Sequence, residues 1–236
     1  MTRGLQILAG VTFLLGSLGL ARVAVGHESG PSVPFAVASV HFEQNATDGD
    51  VEVVFEVKGG GEGLAKLAVV SPDGRTVIDF TAPDASTLGI RQFRFESPEP
   101  GDVESLKLAY PEGVYTFSGV ATGVKLHGKA MLSHKLPATA SFLRPGAGAQ
   151  GVGIKDLEIT WTPVKNLAAY IIGIEQRKLG VNLMAKLPGS VATFAVPDDF
   201  LRPGTEYQLA IGTVSDEGNI SFVETTFTTA GGGVRP

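Results

Sequence analysis

The sequence contains no cysteine. That one absence removes disulfide staples, thiolate nucleophiles and thiolate metal ligands, so any core must hold by packing alone. It also removes the lipid-modified cysteine of a bacterial lipoprotein anchor. Basic residues are few, with 19 Lys and Arg against 24 Asp and Glu and a formal charge of −5. No run of four or more Lys/Arg occurs, so the chain lacks the basic patch that nucleic acid or an anionic membrane surface requires. Histidine is scarce, at four, and tryptophan is single. There is no G-x-S-x-G elbow, since "GHESG" (26–30) has the wrong spacing. The Gly-rich "KGGGEGLAK" (58–66) lacks G-K-[ST] and runs from strand to strand, so it reads as a flexible loop rather than a phosphate cradle. We therefore expect no enzyme, assign no catalytic, cofactor-binding or metal-binding residue, and expect no cofactor. Paired carboxylates for glycoside hydrolysis are not readable from sequence, because they are defined by their separation across a cleft.

What the N-terminus does contain is an export pattern. Arg3 precedes an apolar run from Ile7 to Ala21, and Ala24-Val25-Gly26 places small residues before a cut. A spanning helix needs about 20 apolar residues, and this run is shorter and rich in glycine. Residues 1–26 are expected to be a cleaved signal peptide. The mature chain would keep 210 of the 236 residues, begin at His27 and, without Arg3 and Arg22, carry a formal charge of −7. The C-terminal "TTAGGGVRP" offers no hydrophobic anchor. A periplasmic or secreted bacterial location is expected, with no stable membrane insertion after cleavage.

Beyond residue 27 no convincing amphipathic helix is visible. Short apolar-alternating runs follow one another, separated by Gly, Pro, Asp and Ser, which is the pattern of a sandwich or barrel. In 51–57, Val51, Val53, Phe55 and Val57 share one face, while Glu52 and Glu56 share the other with Val54 as the exception. Residues 36–43 set Ala38, Val40 and Phe42 against Ser39, His41 and Glu43. Strands at 64–70 and 75–80 flank the turn "SPDG". Further strands are expected at 88–95, 104–109, 113–119 and 124–134, the last broken by turns at "TGVK" and "LHGK".

A second set of strands starts near Ala140. Leu157, Ile159 and Trp161 alternate with Glu158 and Thr160. Tyr170, Ile172 and Ile174 share a face, then come 181–187, 191–196, the run Tyr207-Leu209-Ile211-Thr213, and 221–229. "LEITWTPV" (157–164), "AAYIIGIE" (168–175), "LRPGTEYQLAIGTVSDEGN" (201–219) and "ETTFTT" (224–229), in that order, resemble the fibronectin type III family. The resemblance covers 139–229 and implies Trp161 as the core tryptophan. Tyr207, just after Pro203-Gly204, is in the setting of a tyrosine corner. "YPEGVYTFSG" repeats that device at Tyr115, and "EGVYTF…LSHKLP" is similar to segments of immunoglobulin-like sandwiches in bacterial secreted proteins. The expected fold class is all-β: two tandem immunoglobulin-like and fibronectin type III-like β-sandwiches after a signal peptide. The expected organisation is an N-terminal arm (27–34), an immunoglobulin-like sandwich (35–136), a type III-like domain (137–230) and a tail (231–236).

The candidates for site chemistry are thin. His127 and His134 stand seven apart on an expected hairpin. Asp48, Asp50 and Glu52 lack EF-hand spacing and read as a solvated turn, as does Asp198-Asp199. A mature N-terminal His27 has an amine and an imidazole that suit copper; a second histidine would come from His41, His127 or His134. Two sequons, at Asn45 and Asn219, fit surface loops or strand ends. The leading expectation is an exported, non-catalytic binding or structural module of the cell envelope or medium, with an unknown protein or polysaccharide partner and no nucleic acid. The loop "SDEGN" (215–219) or an edge strand would offer the contact. The alternative is a copper-binding or oxidative protein using His27.

Overall fold

The computed structural model describes residues 32–83, 89–98 and 102–231. The expected signal peptide and His27 lie outside the described residues. Strand alternation dictates the first core. β1 (Ser32–Pro34), β2 (Val37–Asn45), β3 (Asp50–Lys58), β4 (Leu64–Val70), β5 (Thr76–Thr81) and β6 (Gln92–Glu96) are followed by helix α1 (Val103–Ala109), β7 (Gly113–Ala121) and β8 (Val124–Leu132). A sheet ordered β1-β8-β7-β4-β5 faces β2, β3 and β6. Val53 and Val57 point inward with no exposure and meet Leu64, Val69 and Phe117. Phe55 joins the sheets through Tyr115 and Phe117, at ring separations of 5.7 and 6.5 Å.

The second core is built the same way from β9 (Phe142–Arg144), β10 (Glu158–Trp161), β11 (Ala169–Gln176), a 3-10 turn (Arg177–Leu179), β12 (Val181–Pro188), β13 (Thr193–Ala195), β14 (Glu206–Val214) and β15 (Ile220–Thr228). A three-stranded sheet β13-β10-β9 packs on β12-β11-β14-β15. Trp161 is 1% exposed and lies 5.2 Å from the Tyr170 ring. Tyr207 is fully buried and its hydroxyl accepts from the Arg202 N–H at 2.8 Å. In the first sandwich the Tyr115 hydroxyl instead donates to the Pro111 carbonyl at 3.1 Å. Both hydroxyls tie a strand back to the turn preceding it, the corner expected where Pro203-Gly204 precedes Tyr207 and Pro111-Glu112-Gly113 precedes Tyr115.

Each sandwich was expected to own two sheets, but the described strands form three. β15 pairs in parallel with β2, setting Ile220, Ser221 and Phe222 beside Glu43, Gln44 and Asn45. One seven-stranded sheet, β12-β11-β14-β15-β2-β3-β6, therefore runs through both sandwiches. Asn219 fastens the junction. It is 1% exposed, and its Oδ1 accepts from the Phe42 N–H at 2.8 Å. Its Nδ2 donates to the carbonyls of Ser133 and Lys135 at 2.9 and 3.0 Å. The Ser221 hydroxyl donates to the Pro137 carbonyl at 2.8 Å.

Four local expectations are corrected. Residues 104–109 form helix rather than strand: Asp102 caps it by accepting from the Ser105 N–H at 2.7 Å, Leu106 is its buried residue, and Pro111 follows. β8 runs unbroken through "LHGK", because Gly128 is a strand residue over which β2 passes; a Cβ there would lie 2.7 Å from Ala38 Cβ. The described end of the expected N-terminal arm, Ser32–Pro34, is a strand paired in parallel with β8. The sixth strand begins at Gln92, four residues later than the pattern suggested.

Candidate functional site

The shared sheet has an outer face, and its side chains follow from register. Met184 on β12 stands opposite Gly173 on β11, Gly173 opposite Ala210 on β14, and Ala210 opposite Glu224 on β15. Phe222 on β15 stands opposite Asn45 on β2, and Glu43 on β2 opposite Glu52 on β3. This row encloses a groove of about 340 Å³ that both sandwiches line. Small residues sink its middle. A Cβ on Gly173 would touch only Ala210 Cβ, at 3.6 Å, whereas a Cβ on Gly212 would meet the Phe222 ring at 2.6 Å. Gly212 is thus needed to seat Phe222, while Gly173 leaves space. Ala169, Val214 and Ile220 form a small apolar cluster on this face, with Ile171 and Phe222 packed against it.

The β2–β3 end of the groove is acidic. Arg94 donates to Glu96 at 2.6 Å and to Glu56 at 3.2 Å, and approaches Glu43 at 3.5 Å. Nε2 of His41, a residue 7% exposed, is 3.1 Å from Glu43. Glu52 receives no hydrogen bond or ion pair from any described residue. Like charges opposite each other across a strand pair repel. Burial, then Glu96 and Glu43, push the Glu52 carboxyl up to about 7, against the pull of Arg94 and His41.

The expected candidates do not gather. His127 and His134 are not on opposite arms of a hairpin; the first is in β8 and the second just beyond its end. His127 Nδ1 is 2.8 Å from the Ser32 hydroxyl at an exposed position, and no carboxylate among the described residues is bonded to its other ring nitrogen. A hydrolytic serine–histidine pair needs such an orienting group. His134 packs on Phe42 at 5.0 Å with Nε2 2.8 Å from the Tyr110 carbonyl. Among the described residues no group of three or more His, Asp or Glu is arranged to hold a metal ion. Asp48 closes the turn after β2 by accepting from the Asp50 N–H at 3.1 Å, but Asp50 and Glu52 belong to β3, so "DGDVE" is not a single solvated turn. Asp198 accepts from the Asp156 N–H at 3.1 Å. The sequon at Asn219 is no surface site, because that amide is buried and fully engaged. The loop 215–219 is tied to the first sandwich as well: Glu217 accepts from the Ser133 hydroxyl at 3.0 Å. Sequence reasoning passed over Met184, Phe222 and Gly173. Only Gly173 carried a signal, a glycine inside an apolar strand.

These sheets define an all-β protein of two tandem immunoglobulin-like, fibronectin type III-like sandwiches. No family model and no curated protein matches the chain. Among solved structures it is similar to fibronectin(III)-like modules of CbhA from Clostridium thermocellum, at 12% identity over 85% of this chain and 94% of that one, with a TM-score of 0.36. It is also similar to a two-domain fibronectin type III segment of chicken tenascin, at 16% identity over 83% and 99%, with a TM-score of 0.31. Nothing about ligand or activity carries over from likenesses this distant.

Proposed function

We propose that the chain is an exported, non-catalytic binding or structural module of a bacterial cell envelope or its surroundings, acting as one stiff two-sandwich unit. The observation that carries this reading is the β2–β15 pairing with Asn219 at its edge, which makes one sheet of two sandwiches. An ordinary tandem pair with a flexible linker moves as beads; here main-chain hydrogen bonding fixes the spacing and presents one continuous face. The absence of cysteine suits a fold that matures without disulfide chemistry, and the N-terminal pattern of residues 1–26 supports export. No helix among the described residues is long and apolar enough to cross a membrane. The likeness of the short segment "EGVYTF…LSHKLP" to segments of bacterial secreted proteins points the same way.

The test is expression of the full chain in a bacterial host, followed by fractionation, N-terminal sequencing, and incubation of the mature product with envelope fractions and polysaccharides. The expected result is a product beginning at His27, found outside the cytosol and retained by one fraction without altering it. A 236-residue chain that stays in the cytosol, or chemical turnover of the retained material, would overturn the reading.

A further inference from the structure

We propose that the groove across the seam binds an extended, lysine- or arginine-bearing peptide segment, with its apolar side chains over Gly173, Ala210 and Phe222 and a cationic head group at Glu52. The inference deepens the binding-module reading and rests on it. Three observations carry it.

The first is shape. From Met184 on β12 to Glu52 on β3 the groove crosses six neighbouring strands of one sheet. Five inter-strand spacings amount to about 24 Å, the length of about seven residues of extended chain. The second is the unexplained space at Gly173. A glycine inside a strand weakens it unless a bulge, a bend or the close approach of another group requires it. Gly173 has no left-handed backbone and no neighbour that a side chain would strike; the position is open toward the groove. An occupant that comes and goes accounts for a floor kept bare. The third is charge. Among the described residues four carboxylates gather here: Arg94 is paired with Glu43, Glu56 and Glu96, His41 lies 3.1 Å from Glu43, and Glu52 makes no hydrogen bond or ion pair. At the other end Arg177 is already paired with Glu175 at 3.2 Å. A cationic ligand head would complete the pairing at Glu52, and an anionic one is repelled. The floor offers a single aromatic side chain, Phe222, which is a poor stacking platform for a row of sugar rings. The observations therefore favour a peptide over a polysaccharide.

The experiment uses the mature chain and a terminally blocked octapeptide of alternating lysine and valine. Its counterpart of alternating glutamate and valine and a linear glucan oligosaccharide serve as comparison ligands, with binding followed by calorimetry at low and high salt. The lysine peptide is expected to bind at least tenfold more tightly than the glutamate peptide, and to weaken at high salt. G173F, which fills the floor at a backbone geometry open to any residue, is expected to reduce that affinity at least tenfold while thermal unfolding stays unchanged. A210L plugs the same floor from the neighbouring strand and replaces G173F if that variant unfolds. E52Q is expected to weaken the lysine peptide only. Equal binding of the two peptides, indifference to both plugging variants, or binding of the glucan alone in the groove each overturns the proposal. Envelope retention that survives G173F leaves the module reading intact and removes only the groove; loss of all retention by the wild-type chain removes the reading beneath it.

Discussion

Asn219 Oδ1 accepts the main-chain N–H of Phe42 at 2.8 Å, across 177 positions of sequence and from one sandwich to the other. The same amide donates from Nδ2 to the carbonyls of Ser133 and Lys135. No other residue type reproduces this set, because it needs one acceptor and a donor group fixed on a short stem. Replacing Asn219 by Ala strands a buried N–H and at least one carbonyl, at a cost of about 2–4 kcal/mol. Asn219→Asp is expected to be no milder, since its second oxygen would face those carbonyls. Urea denaturation of the two variants checks this; midpoints within experimental error of the wild type would remove the clamp from the account.

Trp161 and Tyr207 stabilise the second sandwich by different means. Trp161→Ala is expected to cost about 3–5 kcal/mol through lost burial and the void left behind. Among the described residues the indole Nε1 has no hydrogen-bond partner, so Trp161→Phe removes an unsatisfied donor along with volume and should cost well under that. Tyr207→Phe leaves the Arg202 N–H unpaired, at about 1–2 kcal/mol. Melting curves of the three variants should therefore rank Ala lowest, and a different order would break the assignment of roles.

That core was legible from the chain alone, because Trp161, Tyr170 and Tyr207 announce their faces through alternation with polar neighbours. The seam was not. Ile220 and Glu43 carry no mark of pairing with each other, and a contact between strands so far apart in sequence follows from how two finished sandwiches meet. Glu52 was correctly placed opposite Val53 and Phe55, yet its surroundings depend on that same meeting. The helix at Val103–Ala109 was hidden for another reason. Seven residues are too few for a helical period to outweigh strand-like spacing, and the Asp102–Ser105 cap was the only available cue. Gly128 misled because a glycine inside a strand looks like a turn until the strand that crosses it is known.

The Glu52 carboxyl supplies a pH dependence. Its native pKa, about 7, lies above its ordinary value of 4.5, so between those two pH values the native state holds more proton than the unfolded chain. Stability therefore falls as pH rises through that window. The carboxyl is reachable by solvent, which limits the effect to about 1 kcal/mol. Glu52→Gln should be the more stable protein at pH 8 and equal to wild type near pH 4. Chemical denaturation at the two pH values decides it: a difference that persists undiminished at pH 4 assigns the effect to something other than this proton.

Gly128 offers a packing test in the first sandwich. A methyl group there would lie 2.7 Å from Ala38 Cβ and 3.4 Å from the Phe35 ring. Gly128→Ala is expected to cost about 1–3 kcal/mol by overpacking. Adding Ala38→Gly removes the first collision and should recover part of the loss. A double-mutant cycle on the thermal transition measures the coupling; strict additivity would mean that the two strands do not press on each other here.

The parallel β2–β15 pairing has a mechanical consequence. Tension entering the chain ahead of Val37 and leaving after Thr228 pulls the two paired strands toward opposite ends, which loads their hydrogen bonds together in shear rather than unzipping them one by one. Single-molecule extension should show the seam yielding in one step, at higher force than a linker would bear. The sandwiches would act as a strut under load, holding whatever lies on either side of them at a set distance.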